Sequence, residues 1–214
     1  MIKDIPEIKL ILFDADGVLQ LTSPSFMQVL RGLCPESQSN QAMRDEFTTA
    51  VFAAEVPCLT GKARFEDELQ PVLSRFGSTA SLTEARNVWH LIKPIECVFD
   101  VIRELRKAHR IGLATNQQHH RAAFMRDTLA YTTLFDDLFI SCEMGSAKPD
   151  SEYFAFILAS VLNDGIRANE IVFIDDREDN VDAACRNGIN GVQYEYTEGS
   201  ERLKLILQSF HLTA

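Results

Sequence analysis

The chain of 214 residues contains no C-x-x-C pair; its five cysteines, Cys34, Cys58, Cys97, Cys142 and Cys185, are scattered singly. That pattern excludes a zinc ribbon and a thioredoxin-type redox motif. An odd number of widely spaced thiols predicts reduced cysteines acting as small core residues in a cytoplasmic protein. Basic residues are also scarce, 21 against 31 acidic ones, for a formal net charge of -10. Non-specific nucleic-acid binding runs on basic patches, so neither DNA nor RNA is an expected partner. An anion can still be held, but only by a local device such as a metal ion, a lysine or a helix N-terminus. No stretch approaches the ~18 apolar residues of a membrane span. Asp4, Glu7 and Lys9 interrupt the start of the chain, and the apolar run Leu10 to Phe13 is too short for a signal peptide. No membrane partner is therefore expected. With 46% hydrophobic residues, 10 Gly and 7 Pro, the chain is neither collagen-like nor disordered, and its length suits one or two domains.

Short β-type runs alternate with helical patterns. Ile8-Lys9-Leu10-Ile11-Leu12-Phe13 is nearly continuous in apolar character, as a strand buried on both faces requires. Similar runs lie at Ile111–Thr115, Leu138–Ser141, Ile171–Ile174 and Gly191–Tyr194. Helical spacing relates Ile95, Val98, Phe99, Ile102 and Leu105, then Tyr153, Phe154, Ile157, Leu158 and Val161, then Leu203, Ile206, Leu207 and Phe210. This alternation predicts an α/β fold, a parallel sheet with helices on both faces. One region breaks it. Between about Val18 and Ile92 only helical patterns occur: Phe26, Val29, Leu30 and Leu33; Met43, Phe47, Ala50, Val51 and Ala54; Phe65, Leu69, Val72, Leu73 and Phe76. Ser81 and Glu84 have capping-box spacing ahead of a fourth helix. So long a helical stretch between the first and second strands is not an ordinary crossover. The expected organisation is an α/β core from 1–17 and 93–214, with an all-α insert over 18–92.

Four strand ends carry polar residues that could do chemistry. Asp14-Ala15-Asp16-Gly17-Val18 follows the first strand directly, and the carboxyl end of a strand in an open parallel sheet is where ligands bind. Gly17 lets the chain turn there, so both acids can reach one pocket. Close like charges repel unless a cation bridges them, and Mg²⁺ suits hard oxygen ligands. A strand-ending turn with two solvated acids is the plainer account. Asp175-Asp176 ends the Ile171–Ile174 run in the same way. Favourable negative charge at a helix N-terminus accounts well for the nearby Asp179, less well for two adjacent acids at a strand end. Thr115-Asn116 could donate to a phosphate oxygen or cap the next helix. Lys148, before the helix start Pro149-Asp150, is either a surface lysine or a cation on the same rim. Acids, a cation and small donors together suit phosphoryl transfer, in which a metal and a lysine neutralise phosphate and a carboxylate attacks.

The segments Ile11–Val18, Thr115-Asn116, Lys148-Pro149 and Phe173–Asp176 with Asn180–Ala184 resemble, in order, the four motifs of the haloacid dehalogenase superfamily of phosphohydrolases. The resemblance spans essentially the whole chain. It implies a Rossmann-like core with the first strand central and a helical cap inserted after the first motif. Only about 30 residues separate Thr115 from Lys148, too few for the larger cap found elsewhere in the superfamily. By the same resemblance, Asp14 is the nucleophile that forms an aspartyl-phosphate, and Asp16 the general acid/base. Thr115 and Lys148 hold the phosphate with Asn116 beside them. The Mg²⁺ residues are Asp14, Asp16, Asp175 and Asp176. Asn180 departs from the commoner Asp, and the Asp-Asp-x-x-x-Asn form is similar to sugar-1-phosphate phosphatases and the N-terminal domain of bifunctional epoxide hydrolases.

The expected function is a Mg²⁺-dependent phosphatase acting on a small phosphorylated metabolite, with sugar phosphates the nearest example. Asp16 favours it, since a leaving alkoxide needs an acid and a leaving halide does not. A phosphomutase shares the whole constellation and differs in how well a closed cap excludes water. A phospho-receiver switch also uses Asp, Thr and Lys at strand ends, but the helical insert and Asp16 argue against it. A monomer or homodimer is expected. Selectivity should come from insert residues above the phosphate site, for which Glu55–Lys62 and Gln20–Ser25 are candidates; either could be an ordinary connection. Adjacent His119 and His120 read as a solvated first helical turn, and Trp89 as packing between cap and core.

Overall fold

Leu10, Ile11, Leu12 and Phe13 are all fully buried, and as strand β1 (Leu10–Phe13) they form the centre of the fold. The computed structural model describes residues 6–35 and 40–213. After β1 the chain makes β2 (Gln20–Thr22), then α1 (Phe26–Gly32), α2 (Gln41–Glu55), α3 (Phe65–Arg75) and α4 (Leu82–Asn87), and returns through β3 (Ile92–Pro94). It continues as α5 (Glu96–Leu105), β4 (Arg110–Thr115), α6 (His119–Asp127), α7 (Tyr131–Leu134), β5 (Asp137–Ile140) and α8 (Ser141–Met144). The last elements are α9 (Ser151–Val161), β6 (Ile171–Asp175), α10 (Glu178–Arg186), β7 (Asn190–Gln193) and α11 (Gly199–Ser209).

The main sheet is parallel, in the order β5-β4-β1-β6-β7. Side chains alternate across it as the period of two requires. Ile11 and Phe13 join Ile111, Leu113, Val172 and Ile174 beneath α5 and α11, where Val98, Phe99, Ile102, Leu203 and Leu207 complete one core. Leu10 and Leu12 face the other way, onto Tyr153, Phe154 and Ile157 of α9 and Ala183 and Ala184 of α10. Each such large apolar side chain contributes roughly 1.5–3 kcal/mol on burial, which is why both strand faces read as apolar. Chain order runs outward in both directions from β1. The crevice at the carboxyl ends of β1, β4 and β6 is thus the topological switch point.

Between β1 and α5 the chain builds a second core of its own. Phe26, Leu30, Phe47, Val51, Phe65, Leu69, Leu73 and Trp89 are buried together. The expected capping box is present, with Glu84 N donating to Ser81 Oγ at 3.2 Å and Ser81 N to Glu84 Oε2 at 2.8 Å. The observed class is therefore an α/β parallel sheet with helices on both faces plus an inserted, mainly helical unit. One element was not expected. β2 and β3 pair antiparallel, Gln20 with Pro94 and Thr22 with Ile92, so a two-stranded ribbon carries the chain into the insert and back. Strands of three residues are too short to show a period in sequence. Trp89 makes an edge contact with Phe65 at 4.6 Å between ring centroids, inside the insert's own core rather than between insert and sheet.

Candidate active site

Asp14 stands where β1 ends, its N–H donating to Ile174 O across the sheet at 2.9 Å. The chain then turns sharply: Leu19 and Gln20 both donate to Ala15 O, and Gly17 takes φ +84°, a left-handed conformation that glycine accepts without strain. The turn brings Asp16 to the same opening as Asp14. Together with Gly17, Thr115, Asn116, Lys148, Asp176, Arg177 and Asn180, and with Leu59 from the insert, they line a cavity of about 370 Å³. Three of the four motif segments thus meet side by side on β1, β4 and β6, and the fourth arrives on the loop before α9.

Lys148 is the hub. Its ammonium lies 2.8 Å from Asp14 Oδ1, 2.5 Å from Asp175 Oδ2 and 2.8 Å from Ala114 O, with the side chain almost wholly buried. Burial by itself would discharge the ammonium; Asp14 and Asp175 outweigh it and hold the group above its ordinary range. The carboxylates feel the converse. Burial pushes Asp14 up to about 7, opposed by Lys148 and reinforced by Asp175. Burial and Asp175 push Asp176 up to about 6.

Oxygens of Asp14, Asp175 and Asp176 lie within 4.8 Å of one another. One ammonium does not neutralise three carboxylates, and an all-oxygen donor set suits a hard divalent cation. Within the trio Asp175 is already committed. Its Oδ1 accepts from Arg177 N at 2.9 Å and Asn180 Nδ2 at 3.0 Å, while Oδ2 accepts from Lys148. Asp14 and Asp176 are the pair that faces the cavity. The Asp16 carboxylate, expected among the metal residues, does not join this cluster. Arg121 Nη2 at 2.7 Å, Gln117 Nε2 at 2.8 Å and Gln20 Nε2 at 3.1 Å draw it to the side nearer the insert.

Thr115 is buried at the end of β4, its hydroxyl 3.1 Å from Gln117 Nε2. Asn116 clamps the lysine loop rather than capping a helix: its Nδ2 donates to Lys148 O at 2.8 Å, and Lys148 N donates to its Oδ1 at 2.9 Å. Gln118 is the cap of α6, accepting from His120 N and Arg121 N. The histidines also differ from expectation. His119 is exposed, but His120 is half-buried and stacks on His90 at 4.3 Å between ring centroids. A second grouping of metal-type donors, His119, Cys142 and Glu143, is less apt than the aspartates. Arg126 binds Glu143 through both oxygens, and burial pushes the Cys142 thiol up to about 12.

Sequence reading missed Gln117 and Arg121, whose spacing from Asp16 carries no signal in the chain. Leu59 and Gln20 fall inside the two stretches marked as candidates for selectivity.

The model of the haloacid dehalogenase-like hydrolases matches residues 8–188, and the chain belongs to that family. Over 182 residues it is 26% identical to a glyceraldehyde 3-phosphate phosphatase of Methanocaldococcus jannaschii, a match covering 80% of this chain and 78% of that protein. A stretch of 70 residues is 33% identical to drimenol cyclase drtB of Aspergillus calidoustus; it covers 33% of this chain and only 13% of that protein. The fold is shared with a family enzyme of Bacteroides thetaiotaomicron crystallised with magnesium and inorganic phosphate. The TM-score is 0.73 at 21% identity, covering 92% of this chain and 98% of that one.

Proposed function

We propose that the protein is a Mg²⁺-dependent phosphatase that hydrolyses a small phosphorylated metabolite through an aspartyl-phosphate on Asp14. The observation that carries this reading is Lys148 pinned between Asp14 and Asp175 in the cavity that Asp16 also lines. Asp14 and Asp176 would hold the magnesium ion, with Asp175 orienting Lys148 and Asn180 from behind. Bound there, the ion supplies charge neutralisation for the carboxylates and the incoming phosphate. The name of the archaeal relative and the magnesium and phosphate in the Bacteroides crystal support the same chemistry.

Asp14 attacks phosphorus through a carboxylate oxygen, forming one O–P bond as the ester O–P bond breaks. Asp16 gives its proton to the leaving oxygen. It then takes a proton from the water that attacks the acyl-phosphate, which releases inorganic phosphate and restores both acids. Lys148 and the Thr115 hydroxyl are placed to hold the phosphate oxygens, and Asn116 fixes the loop that presents Lys148. The helical insert over 18–92 serves as the cap, with Leu59 reaching the cavity. A volume near the lower end of ordinary ligand pockets fits a small ester such as a sugar or triose phosphate. The acid at Asp16, which a leaving alkoxide needs and a leaving halide does not, sets this reading above a dehalogenase. A phosphomutase would use the same groups. A panel of sugar phosphates, nucleotides and phospho-acids, assayed for phosphate release with Mg²⁺, tests the proposal; no release from any member would refute it.

A further inference from the structure

Asp16 is held by three side chains that have no part in the phosphoryl-transfer steps described above. Arg121 and Gln20 both donate to Oδ1, and Gln117 donates to Oδ2. These donors are themselves fixed. Gln20 and Gln117 are fully buried, and the Gln20 carbonyl accepts from the Tyr131 hydroxyl at 2.7 Å. Gln117 also reaches the Thr115 hydroxyl, which links Asp16 to the phosphate end of β4. Arg121 comes from the first turn of α6 and its side chain is only 13% exposed. Its Nε is buried without a partner among the described residues.

A planar, forked guanidinium fixes a carboxylate's orientation as a point-charge ammonium does not.

Building on the phosphatase reading, we propose that Arg121 is the positioning residue for Asp16. Arg121 touches neither Asp14 nor Lys148. Its loss should leave the attack on phosphorus intact and let the Asp16 carboxyl swing away from the leaving oxygen. The defect must then depend on the leaving group.

The test compares p-nitrophenyl phosphate, whose leaving group needs little protonation, with glycerol phosphate, whose alkoxide needs it. Rapid-quench and steady-state rates with Mg²⁺ would be measured for wild type, Arg121→Met and Arg121→Lys, with thermal melts to confirm folding. General acid catalysis is worth ~10²–10⁴-fold, so Arg121→Met should lower kcat on glycerol phosphate at least about thirtyfold. KM should stay nearly constant and the first-turnover burst of p-nitrophenolate should fall far less. Arg121→Lys should recover part of the loss. Equal losses on both substrates, or an effect on KM alone, would overturn the proposal. If Arg121→Met does not fold, Arg121→Gln carries the same comparison. Wild type that releases no phosphate would remove the phosphatase reading and this inference with it; an active wild type without the leaving-group contrast removes this inference alone.

Discussion

Gly17 and Asp176 approach so closely that a Cβ on Gly17 would lie 2.5 Å from Asp176 Oδ2 and 2.6 Å from its Cγ. The turn after β1 and the end of β6 thus fit together only because one partner has no side chain, and the contact sets where the Asp176 carboxylate points. Gly17 also sits at positive φ, where a Cβ costs roughly 1–2 kcal/mol. Gly17→Ala should therefore displace Asp176, lower the melting temperature by several degrees and weaken Mg²⁺ binding at least about tenfold. Calorimetric Mg²⁺ titration beside a thermal melt checks this; a variant that binds Mg²⁺ like wild type contradicts it.

Asp14→Asn should abolish turnover, because an amide cannot form the acyl-phosphate. The variant should fold and be at least as stable as wild type without metal, since it removes a carboxyl that burial holds at about 7. Circular dichroism with a p-nitrophenyl phosphate assay decides it. Wild-type rates in the folded variant would take Asp14 out of the nucleophile role.

Chelation should silence the enzyme. Asp14 and Asp176 face an incoming phosphate with Asp175 buried behind them and one lysine among the three, so repulsion prevents productive binding without a further cation. Mg²⁺ should restore activity and raise the melting temperature with its concentration, as a ligand of the native state must. Full activity after exhaustive chelation, with metal content verified by elemental analysis, would refute this.

Glu55 gives a pH signature on stability. Burial at the end of α2 pushes its carboxyl from the ordinary 4.5 up to about 7. A raised acid costs nothing below the unfolded pKa. The penalty develops as pH climbs from about 4.5 to about 7 and is complete above that. Glu55→Gln should match wild type at pH 4 and exceed its stability at pH 8 by about 1–3 kcal/mol. Urea unfolding at both pH values reads the difference; equal stabilities at pH 8 would show that Glu55 carries no such penalty.

Much of the site was legible in the chain because it rests on local order. Asp14, Thr115 and Asp175 each fall where an apolar run stops, and a parallel sheet places such ends on one rim. The helical insert was legible because three faces repeat at helical spacing and a capping box marks the start of a fourth helix. What could not be read were partners chosen across long separations. Arg121 meets Asp16 across 105 positions and Gln117 meets it across 101. The ribbon of β2 and β3 joins segments on either side of the insert, each too short for a period.

The sequence by itself determined the class of fold, the order of the strand-end motifs and the presence of an inserted helical unit, because hydrophobic periodicity and turn chemistry are properties of neighbours along the chain. Tertiary structure decided which polar groups are shared. Asn116 clamps the Lys148 loop instead of capping α6, Asp175 is saturated by Lys148, Asn180 and Arg177, and Asp16 turns to Arg121 rather than to the other aspartates. Each is a competition among several donors and acceptors, settled by distance and burial that only the packed chain defines.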